Sequence, residues 1–376
     1  MKILVISNNY PPYFDGISIF TNNLIRELKK KGNQVRQLNF DKEINKNLSI
    51  RDFFYTKSTL NSYYFPVVIF NPKLFSHSDK GFRNFVFTNL VERISNKVID
   101  DYKPDIVHIM YPRLFSAVLD TKIPIVYSAY SEEIRNTFPV KSITNKASSI
   151  IAISTYTKKL LENVNNKLNS KTKVIPCSIE TEMYMKGETI IRENYLISVG
   201  RLSKEKNFDT TIKAFSLLPK EIRDKYSYLI IGGGAEKDNL QNLINNLNLQ
   251  DNVKLLGNID EKDKVLYLKK SKYFILCPRI KKGEQEGFGI VYLEAQASSL
   301  PIITSKVGGI KEAVGDAGIY IDNPEDASEI STALQKLLSD HKLSSDLINK
   351  GLKRVKVFDH SNWIDQIIKV YKELNN

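Results

Sequence analysis

The sequence lacks the cysteine pattern of a disulfide framework or a structural zinc site. Its two cysteines, Cys177 and Cys277, lie far apart in a chain of 376 residues. Closely spaced ligand pairs, which mark most structural zinc sites, are missing. We therefore interpret both cysteines as small buried residues, the common environment of a free thiol.

Long apolar runs are missing as well. No uninterrupted apolar segment reaches the 18 or so residues that a membrane-spanning helix needs. The amino-terminal stretch MKILVIS is too short in its apolar part to serve as the core of a signal peptide. We expect a protein that is made and kept in the cytoplasm.

The composition is that of an ordinary globular protein, with 42% apolar and 26% charged residues. A chain of 376 residues exceeds the size at which single cores stop growing, which favours two domains. The charge is uneven, because residues 1–180 hold 26 Lys+Arg against 15 Asp+Glu and so carry +11 of the net +13. This basic half suits anionic lipid, a phosphorylated acceptor or nucleic acid, unless it only reflects a composition rich in lysine and asparagine.

Strand and helix patterns alternate along almost the whole chain. Lys2–Ile6 is an apolar strand, and Ile19–Lys31 repeats apolar residues at helical spacing until Gly32. In the aromatic-rich stretch that follows, we predict only a short strand near Val67–Phe70. A second series of βα units begins at Tyr195–Gly200. The pattern predicts an α/β protein with two doubly wound halves.

The stretch EGFGIVYLE, Glu286 to Glu294, follows an apolar strand and opens a helix. If the helix begins near Gly289, its first N–H groups lack intrahelical partners and suit a phosphate. Glu286 then lies in the loop beside this anion site, within reach of a sugar, and Glu294 lies more than a turn into the helix, within reach of a ribose. The alternative is that both carboxylates only favour the positive end of the helix.

Two further stretches carry chemistry at the ends of predicted strands. Arg201 and Lys206 lie in Gly200–Asn207, where two cations can clamp a diphosphate or can be ordinary solvated loop charges. The triplet Gly232–Gly234 lacks the third glycine of a dinucleotide fingerprint. The pair Gly308-Gly309 lets backbone approach a ligand closely or makes a turn.

Taken together, these stretches resemble the retaining glycosyltransferases of family 4, most strongly over residues 195–330. The resemblance implies the GT-B architecture of two Rossmann-like domains facing a central cleft. We expect the domains at 1–182 and 190–359, with a terminal helix 360–376 packing back on the first. The implied donor-site roles are diphosphate binding by Arg201 and Lys206, sugar contact by Glu286, ribose binding by Glu294, phosphate and sugar contacts at Phe288, Gly289 and Ile290, and base contact at Asn258 and Ile259.

The first half departs from the family pattern at three places. Where family members commonly have Gly-Gly after Pro-Pro, this chain has Asp15-Gly16, so only Gly16 matches the donor side. We expect Asp15 either to narrow the donor site or to touch the acceptor. Tyr130 stands where histidine is frequent, so a catalytic histidine cannot be carried over. Pro176–Glu180 is a weaker match to the usual motif of the domain junction.

The resemblance implies a hexosyltransferase that moves a sugar from a UDP- or GDP-linked donor to a glycan or lipid-linked acceptor in bacterial surface polysaccharide synthesis. We expect no metal and no other cofactor, since the chain lacks an Asp-x-Asp triplet. We also expect peripheral association with the inner membrane face through the basic half. No nucleic-acid partner is expected, because no recognition module accompanies the basic residues. Two alternatives remain: a catalytically silent homologue, which Asp15 and Tyr130 favour, and a nicotinamide-dependent oxidoreductase, which the missing glycine opposes.

Overall fold

The chain folds into two compact units in the computed structural model. The first comprises Met1–Ile175 with Trp363–Asn376, and the second comprises Pro176–Asn362. The structure describes residues 1–7, 16–41, 57–59, 62–66, 92–111, 121–131, 134, 140–185, 190–281 and 285–375. The strand predicted near Val67–Phe70 lies outside these residues.

Eight described strands form the sheet of the first unit, in the order β3-β4-β2-β1-β5-β6-β7-β8. All pairs are parallel except β3 with β4. The strands are β1 Lys2–Ser7, β2 Gln34–Asp41, β3 Lys57–Thr59, β4 Ser62–Pro66, β5 Ile106–Ile109, β6 Ile125–Ala129, β7 Ser149–Ala152 and β8 Thr172–Val174. Helices occupy Gly16–Lys30, 92–102, Val140–Lys146, Thr155–Val164 and the greater part of His360–Asn375.

The central strands of this sheet are mainly apolar because both of their faces are buried, although β5 and β7 include the buried polar residues His108 and Ser149. β1 is fully covered from Ile3 to Ile6, and β5 and β7 are buried along their whole length. A parallel sheet with helices on both faces gives its strands no solvent side, so they read as continuous apolar runs rather than alternating ones. This explains why the sequence pattern found them.

In the second unit, six described strands form a sheet in the order β11-β10-β9-β12-β13-β14, with every pair parallel. The strands are β9 Tyr195–Val199, β10 Ser227–Ile231, β11 Val253–Gly257, β12 Tyr273–Leu276, β13 Ile302–Ser305 and β14 Gly318–Ile321. Its helices are Thr181–Met185, Phe208–Ser216, Lys220–Arg223, Lys237–Asn246, Glu261–Lys270, Ile290–Ala297, Ile310–Val314, Ala327–Ser339 and His341–Val355. The predicted fold class, α/β with two doubly wound sheets, is confirmed.

The strand order of the second unit reverses between β9 and β12. From β9 the chain proceeds outward through β10 to β11, and it then returns to the other side of β9 to lay down β12, β13 and β14. In open α/β sheets, ligands bind at the carboxyl ends of the strands where the order reverses. The loops that follow β9 and β12 therefore border the expected ligand position.

The junction between the units differs from the predicted bounds of 1–182 and 190–359. Residues 176–182 lie in the second unit, because Ile179 pairs with Asp359 in a parallel bridge. The hydroxyl of Thr181 donates to Asp359 Oδ2 at 2.5 Å, and Ser178 Oγ lies 2.7 Å from His360 Nδ1. These contacts join residues 178–181 to residues 359–360, the two places near which the chain passes between the units.

Both cysteines are buried and free. Burial raises the pKa of Cys177 to about 12, with the nearby Glu286 carboxylate as a second cause, and burial raises the pKa of Cys277 above its usual value. The prediction that they are small buried residues is confirmed.

The terminal helix of the first unit contributes to that unit's core through Trp363 and Tyr371, which are 2% and 0% exposed. The Tyr371 hydroxyl hydrogen-bonds Nδ1 of the buried His108, and Ser128 Oγ lies 2.8 Å from His108 Nε2. Burial lowers the pKa of His108 from 6.5 to about 3. His108 is therefore neutral in the folded protein.

This neutral histidine predicts an acid-sensitive first unit. Between pH 6.5 and 3 the unfolded chain binds a proton at His108 that the folded chain excludes. Stability should therefore fall as the pH falls through this window, by up to about 1.4 kcal/mol per pH unit from this residue. We expect His108→Gln to flatten that slope, measured by urea unfolding with the fluorescence of Trp363, the single tryptophan. The exposed His341 gives the control His341→Gln, and equal slopes in the two variants would contradict the account.

Candidate active site

The candidate site lies at the carboxyl ends of β9 and β12, on both sides of the strand-order reversal. Arg201 comes two residues after β9, and Lys206 ends a short 3₁₀ turn, Lys204–Lys206. Glu286 lies in the loop between β12 and the helix Ile290–Ala297. The two predicted motifs, 80 residues apart in sequence, therefore meet at one edge of the sheet.

Lys206 and Glu286 form an ion pair at the centre of this site. Lys206 Nζ hydrogen-bonds Glu286 Oε2, and the two side chains are only 19% and 14% exposed. Partial exclusion from water strengthens the attraction between such charges relative to a surface pair. From the sequence, Lys206 was predicted to bind a diphosphate and Glu286 to contact a sugar. An ion pair between the two residues was not predicted. The pair fixes both groups beside each other before any ligand arrives.

Arg201 lies at the same loop but is more open to solvent, with 57% of its side chain exposed. Its guanidinium pairs with Glu205 at 3.2 Å, and the Ser203 hydroxyl also donates to Glu205. Burial opposes ionisation of Glu205, but the Ser203 hydrogen bond, a backbone N–H and Arg201 together hold its pKa below its usual value. The Arg201 guanidinium is thus held by Glu205, and the solvent-exposed part of its side chain can bind an anion.

Arg279 holds the turn that carries Lys206, and sequence reasoning missed it. Its Nε donates to the Lys204 carbonyl at 2.9 Å, and its backbone N–H donates to the Glu205 carbonyl at 2.9 Å. Its Nη2 reaches both oxygens of Asp209 at 3.1 and 3.2 Å. The one feature of the sequence that could have indicated a role for Arg279 is its position shortly after β12, at the carboxyl end of that strand.

The helix after Glu286 begins where the sequence predicted. Gly289 is its N-cap residue with φ 87°, and no side chain caps the helix. The first N–H groups of the helix therefore have no side-chain acceptor at this cap and can serve an anion. Phe288, only 1% exposed, packs its ring against Phe358 at 5.7 Å between ring centroids. Ile290, half-buried, opens the helix at the same edge.

The pair Gly308-Gly309 supports the loop of Glu286 from behind. A β-carbon at Gly308 would collide with the carbonyl oxygen of Glu286, and one at Gly309 with that of Gly287. The Gly309 N–H donates to the Glu286 carbonyl at 2.9 Å, and the Gly308 N–H donates to Gln285 Oε1 at 3.1 Å. The sequence suggested that the backbone at Gly308-Gly309 could come close to a ligand. In the structure this backbone packs closely against the loop that carries Glu286.

The triplet Gly232–Gly234 packs closely against the loop that carries Arg201, as Gly308-Gly309 packs against the loop of Glu286. A β-carbon at Gly232 would collide with the Gly200 carbonyl, and the Leu202 N–H donates to the Gly233 carbonyl at 2.8 Å. The amide of Asn258 lies next to Gly233. Asn258 is exposed and Ile259 half-buried just after β11, so both predicted base-contacting residues lie at the same edge of the sheet.

Glu294 is buried on the helix Ile290–Ala297, with 6% of the residue exposed. Lys264 Nζ lies 2.8 Å from Glu294 Oε1 and 2.9 Å from Glu261 Oε2, and the Tyr184 hydroxyl donates to Glu261 Oε1 at 2.9 Å. Sequence reasoning missed Lys264, Glu261 and Tyr184, because nothing in their spacing connects them to Glu294.

The residues predicted for the acceptor side lie in the first unit. Tyr130 is half-buried, and its ring meets the edge of Phe20 at 5.6 Å between centroids, while Phe20 also contacts Trp363 at 4.8 Å. Gly16 is the first residue of the helix Gly16–Lys30, and Asp15 lies outside the described residues. Tyr130 therefore takes part in an aromatic cluster.

Two consecutive family models match the chain. Glycosyltransferase Family 4 matches residues 14–183, and Glycosyl transferases group 1 matches residues 183–354. The chain belongs to glycosyltransferase family 4. This family 4 member is 31% identical over 183 residues to the O-antigen chain mannosyltransferase B of Escherichia coli, a match that spans 48% of this chain and 46% of that protein, about half of each.

Two other similar proteins match this family 4 member along nearly all of its length. The alpha-monoglucosyldiacylglycerol synthase of Streptococcus pneumoniae is 25% identical over 412 residues, 98% of this chain and 86% of that protein. The Anabaena protein HepE, solved in complex with UDP, superposes with a TM-score of 0.76 at 18% identity over 99% of this chain and 100% of its own. The GT-B fold class expected from the sequence is confirmed.

Among the described residues, no helix is both long enough and apolar enough to cross a bilayer.

Proposed function

We propose that this protein transfers a sugar from a nucleoside-diphosphate sugar to a glycan or lipid-linked acceptor in the synthesis of a cell-surface polysaccharide or glycolipid. The observation that carries the proposal is the Lys206–Glu286 pair beside the uncapped helix start at Gly289, at the strand-order reversal of the second unit. Arg201 lies in the loop after β9, and Glu294 lies on the helix that follows Glu286. The presence of these charged residues in the second unit supports an active enzyme over a silent homologue.

The arrangement suits stabilisation of a leaving diphosphate. In the proposed reaction, the bond between the anomeric carbon and the β-phosphate oxygen breaks, and the acceptor oxygen bonds to the same carbon. The acceptor proton moves to the leaving phosphate oxygen. Arg201, Lys206 and the N–H groups after Gly289 stabilise the negative charge as it develops. We assign Glu286 to positioning the sugar, and departure and attack on one face would retain the anomeric configuration.

The same groups support a metal-independent reaction. Two cations and a helix N-terminus offer the positive charge that a divalent ion supplies to the diphosphate in other enzymes. The sequence lacks the Asp-x-Asp triplet that commonly holds such an ion. We therefore propose that chelator leaves donor binding and transfer unchanged.

The names of the relatives guide the choice of substrates to test. The similar proteins include an O-antigen mannosyltransferase and a glycolipid synthase, and one structural neighbour is a complex with UDP. We accordingly propose a UDP- or GDP-linked donor and an acceptor on a glycan or lipid. Peripheral docking of the basic first half on anionic lipid stays a prediction, which flotation with anionic and neutral vesicles would test.

Donor binding is the decisive test. We expect calorimetry against uridine, guanosine and adenosine diphosphates and their sugar conjugates to show binding of one base series, unaffected by chelator. Arg201→Ala should weaken that binding about tenfold or more, or ~1.4 kcal/mol or more, because a cation on the diphosphate is lost. The exposed Lys213 gives the control Lys213→Ala. Absence of binding in every series would overturn the proposal.

A further inference from the structure

A cluster of charged and polar groups lies on one side of the buried Glu294, and it extends to the surface at Glu261, whose side chain is 49% exposed. Lys264 joins two carboxylates, with Nζ at 2.8 Å from Glu294 Oε1 and 2.9 Å from Glu261 Oε2. The far oxygen of Glu261 accepts the Tyr184 hydroxyl at 2.9 Å. The side chain of Lys264 is 15% exposed, and that of Glu294 is 8% exposed. Lysines are seldom buried unless they are paired.

The charges in this cluster are fixed by their mutual contacts. Burial alone would lower the pKa of Lys264, but the carboxylates of Glu294 and Glu261 raise it above its usual value, so the lysine is charged. Burial, together with Glu294 and Glu261, raises the pKa of Tyr184 far above 10, so its hydroxyl remains a donor. Lys264 contacts Glu294 at Oε1, and Tyr184 lies close to both Glu261 and Glu294.

The second carboxylate oxygen of Glu294, Oε2, is not contacted by Lys264. Oε2 is buried and has no hydrogen-bond partner in the described part of the chain. The single proton of the Tyr184 hydroxyl is used on Glu261. A buried charged acceptor without a donor is unfavourable, and a ligand hydroxyl would relieve it. Because Lys264 holds only Oε1, it fixes the carboxylate while leaving Oε2 available.

We propose that Lys264, braced by Glu261 and Tyr184, is a positioning residue that holds Glu294 so that Oε2 accepts a hydrogen bond from a hydroxyl of the donor ribose. The inference rests on the proposed function and adds a specificity role for three residues. A site built to bind a hydroxyl rejects an analogue that lacks it, because the buried acceptor is then left unpaired. The cluster therefore sets the preference for ribonucleotides over deoxyribonucleotides.

A purely structural role for Lys264 predicts something different. If the lysine only balanced the charge of Glu294, its removal would lower stability and weaken ribonucleotides and deoxyribonucleotides in the same proportion. Positioning instead changes the ratio of the two affinities. The ratio is therefore the quantity to measure.

The experiment compares Lys264→Met with the wild-type protein. Calorimetry would measure the affinity for the diphosphate of the base series that binds, in its ribose, 2′-deoxy and 3′-deoxy forms. We expect the wild type to prefer ribose about tenfold or more over at least one deoxy form, and Lys264→Met to lose most of that preference. Lys264→Arg should restore part of it. The control is Lys262→Met on the same helix, where the lysine is exposed.

The outcomes separate this inference from the proposed function. An unchanged ratio in Lys264→Met, with ribonucleotide still bound, would overturn the inference alone. Failure of the wild type to bind any nucleoside diphosphate would overturn both. If Lys264→Met does not fold, Tyr184→Phe removes the hydroxyl that donates to Glu261 and lies close to Glu294. The ratio should then fall part of the way, and a wild-type ratio there would also overturn the inference.

Discussion

Replacing Lys206 by methionine is expected to lower the turnover number about a hundred- to a thousandfold. The substitution keeps the carbon chain but removes the cation that would meet the diphosphate as its charge develops. It also leaves Glu286, whose side chain is 14% exposed, without its ion-pair partner. Because this charge grows in the transition state, kcat should fall by more than KM rises.

Initial rates with a labelled sugar nucleotide and a lipid-linked acceptor would measure the effect. Lys204→Met is the matched control, since Lys204 lies on the same turn with an exposed side chain and should keep wild-type turnover. Glu286→Gln keeps the shape of its side chain and should also lose activity if the carboxylate positions the sugar. A wild-type kcat in Lys206→Met would rule out the proposed role of the cation.

Gly308→Ala is expected to destabilise the second unit by roughly 2–5 kcal/mol and to abolish most transfer. Its φ of 60° adds about 1–2 kcal/mol for any residue with a β-carbon. The new methyl group would also collide with the Glu286 carbonyl, and such overpacking typically adds about 1–3 kcal/mol. Relief of the collision requires the loop to move, which carries Glu286 away from its place. Thermal unfolding and the transfer assay would measure the two effects.

Gly32→Ala separates the two contributions. Gly32 has a φ of 78°, and nothing lies within 4 Å of where its β-carbon would be. Its substitution should therefore show the backbone effect without the collision, and it should leave transfer intact. If Gly308→Ala is no more destabilising than Gly32→Ala, the close packing of the two loops is not what requires glycine at 308.

The sequence predicted those parts of the molecule that depend on local pattern. The strands β1, β5 to β7 and β9 to β13 were predicted because burial on two faces makes them nearly continuous apolar runs. The sequence pattern did not predict β2, β3, β4 or β14. The helix was expected to begin near Gly289 because the stretch that opens it directly follows an apolar strand, and Gly289 is its N-cap residue. Arg201, Lys206 and Glu286 were expected at one edge because parallel strands share their carboxyl ends.

The contacts between distant residues could not be predicted in the same way. Lys206 and Glu286 are 80 residues apart, and Lys264 and Glu294 are 30 apart, so no helical or strand period relates them. Their meeting depends on the order of strands and the rotation of helices about their axes. The sequence likewise left two interpretations of Gly308, a turn or a contact with a ligand. Gly308 in fact packs against the backbone of the Glu286 loop, and a contact with backbone atoms cannot be recognised from residue types.

The division of the chain into units has a consequence for the order in which the protein forms. The second unit is one continuous segment, Pro176–Asn362, whereas the first takes in Trp363–Asn376 from the far end. Tyr371, which bonds His108, and Trp363 belong to the core of the first unit. During synthesis, domains generally fold in turn from the amino terminus. Here we expect the first unit to complete its core only after the second unit has been made, because Trp363 and Tyr371 follow the second unit in the chain.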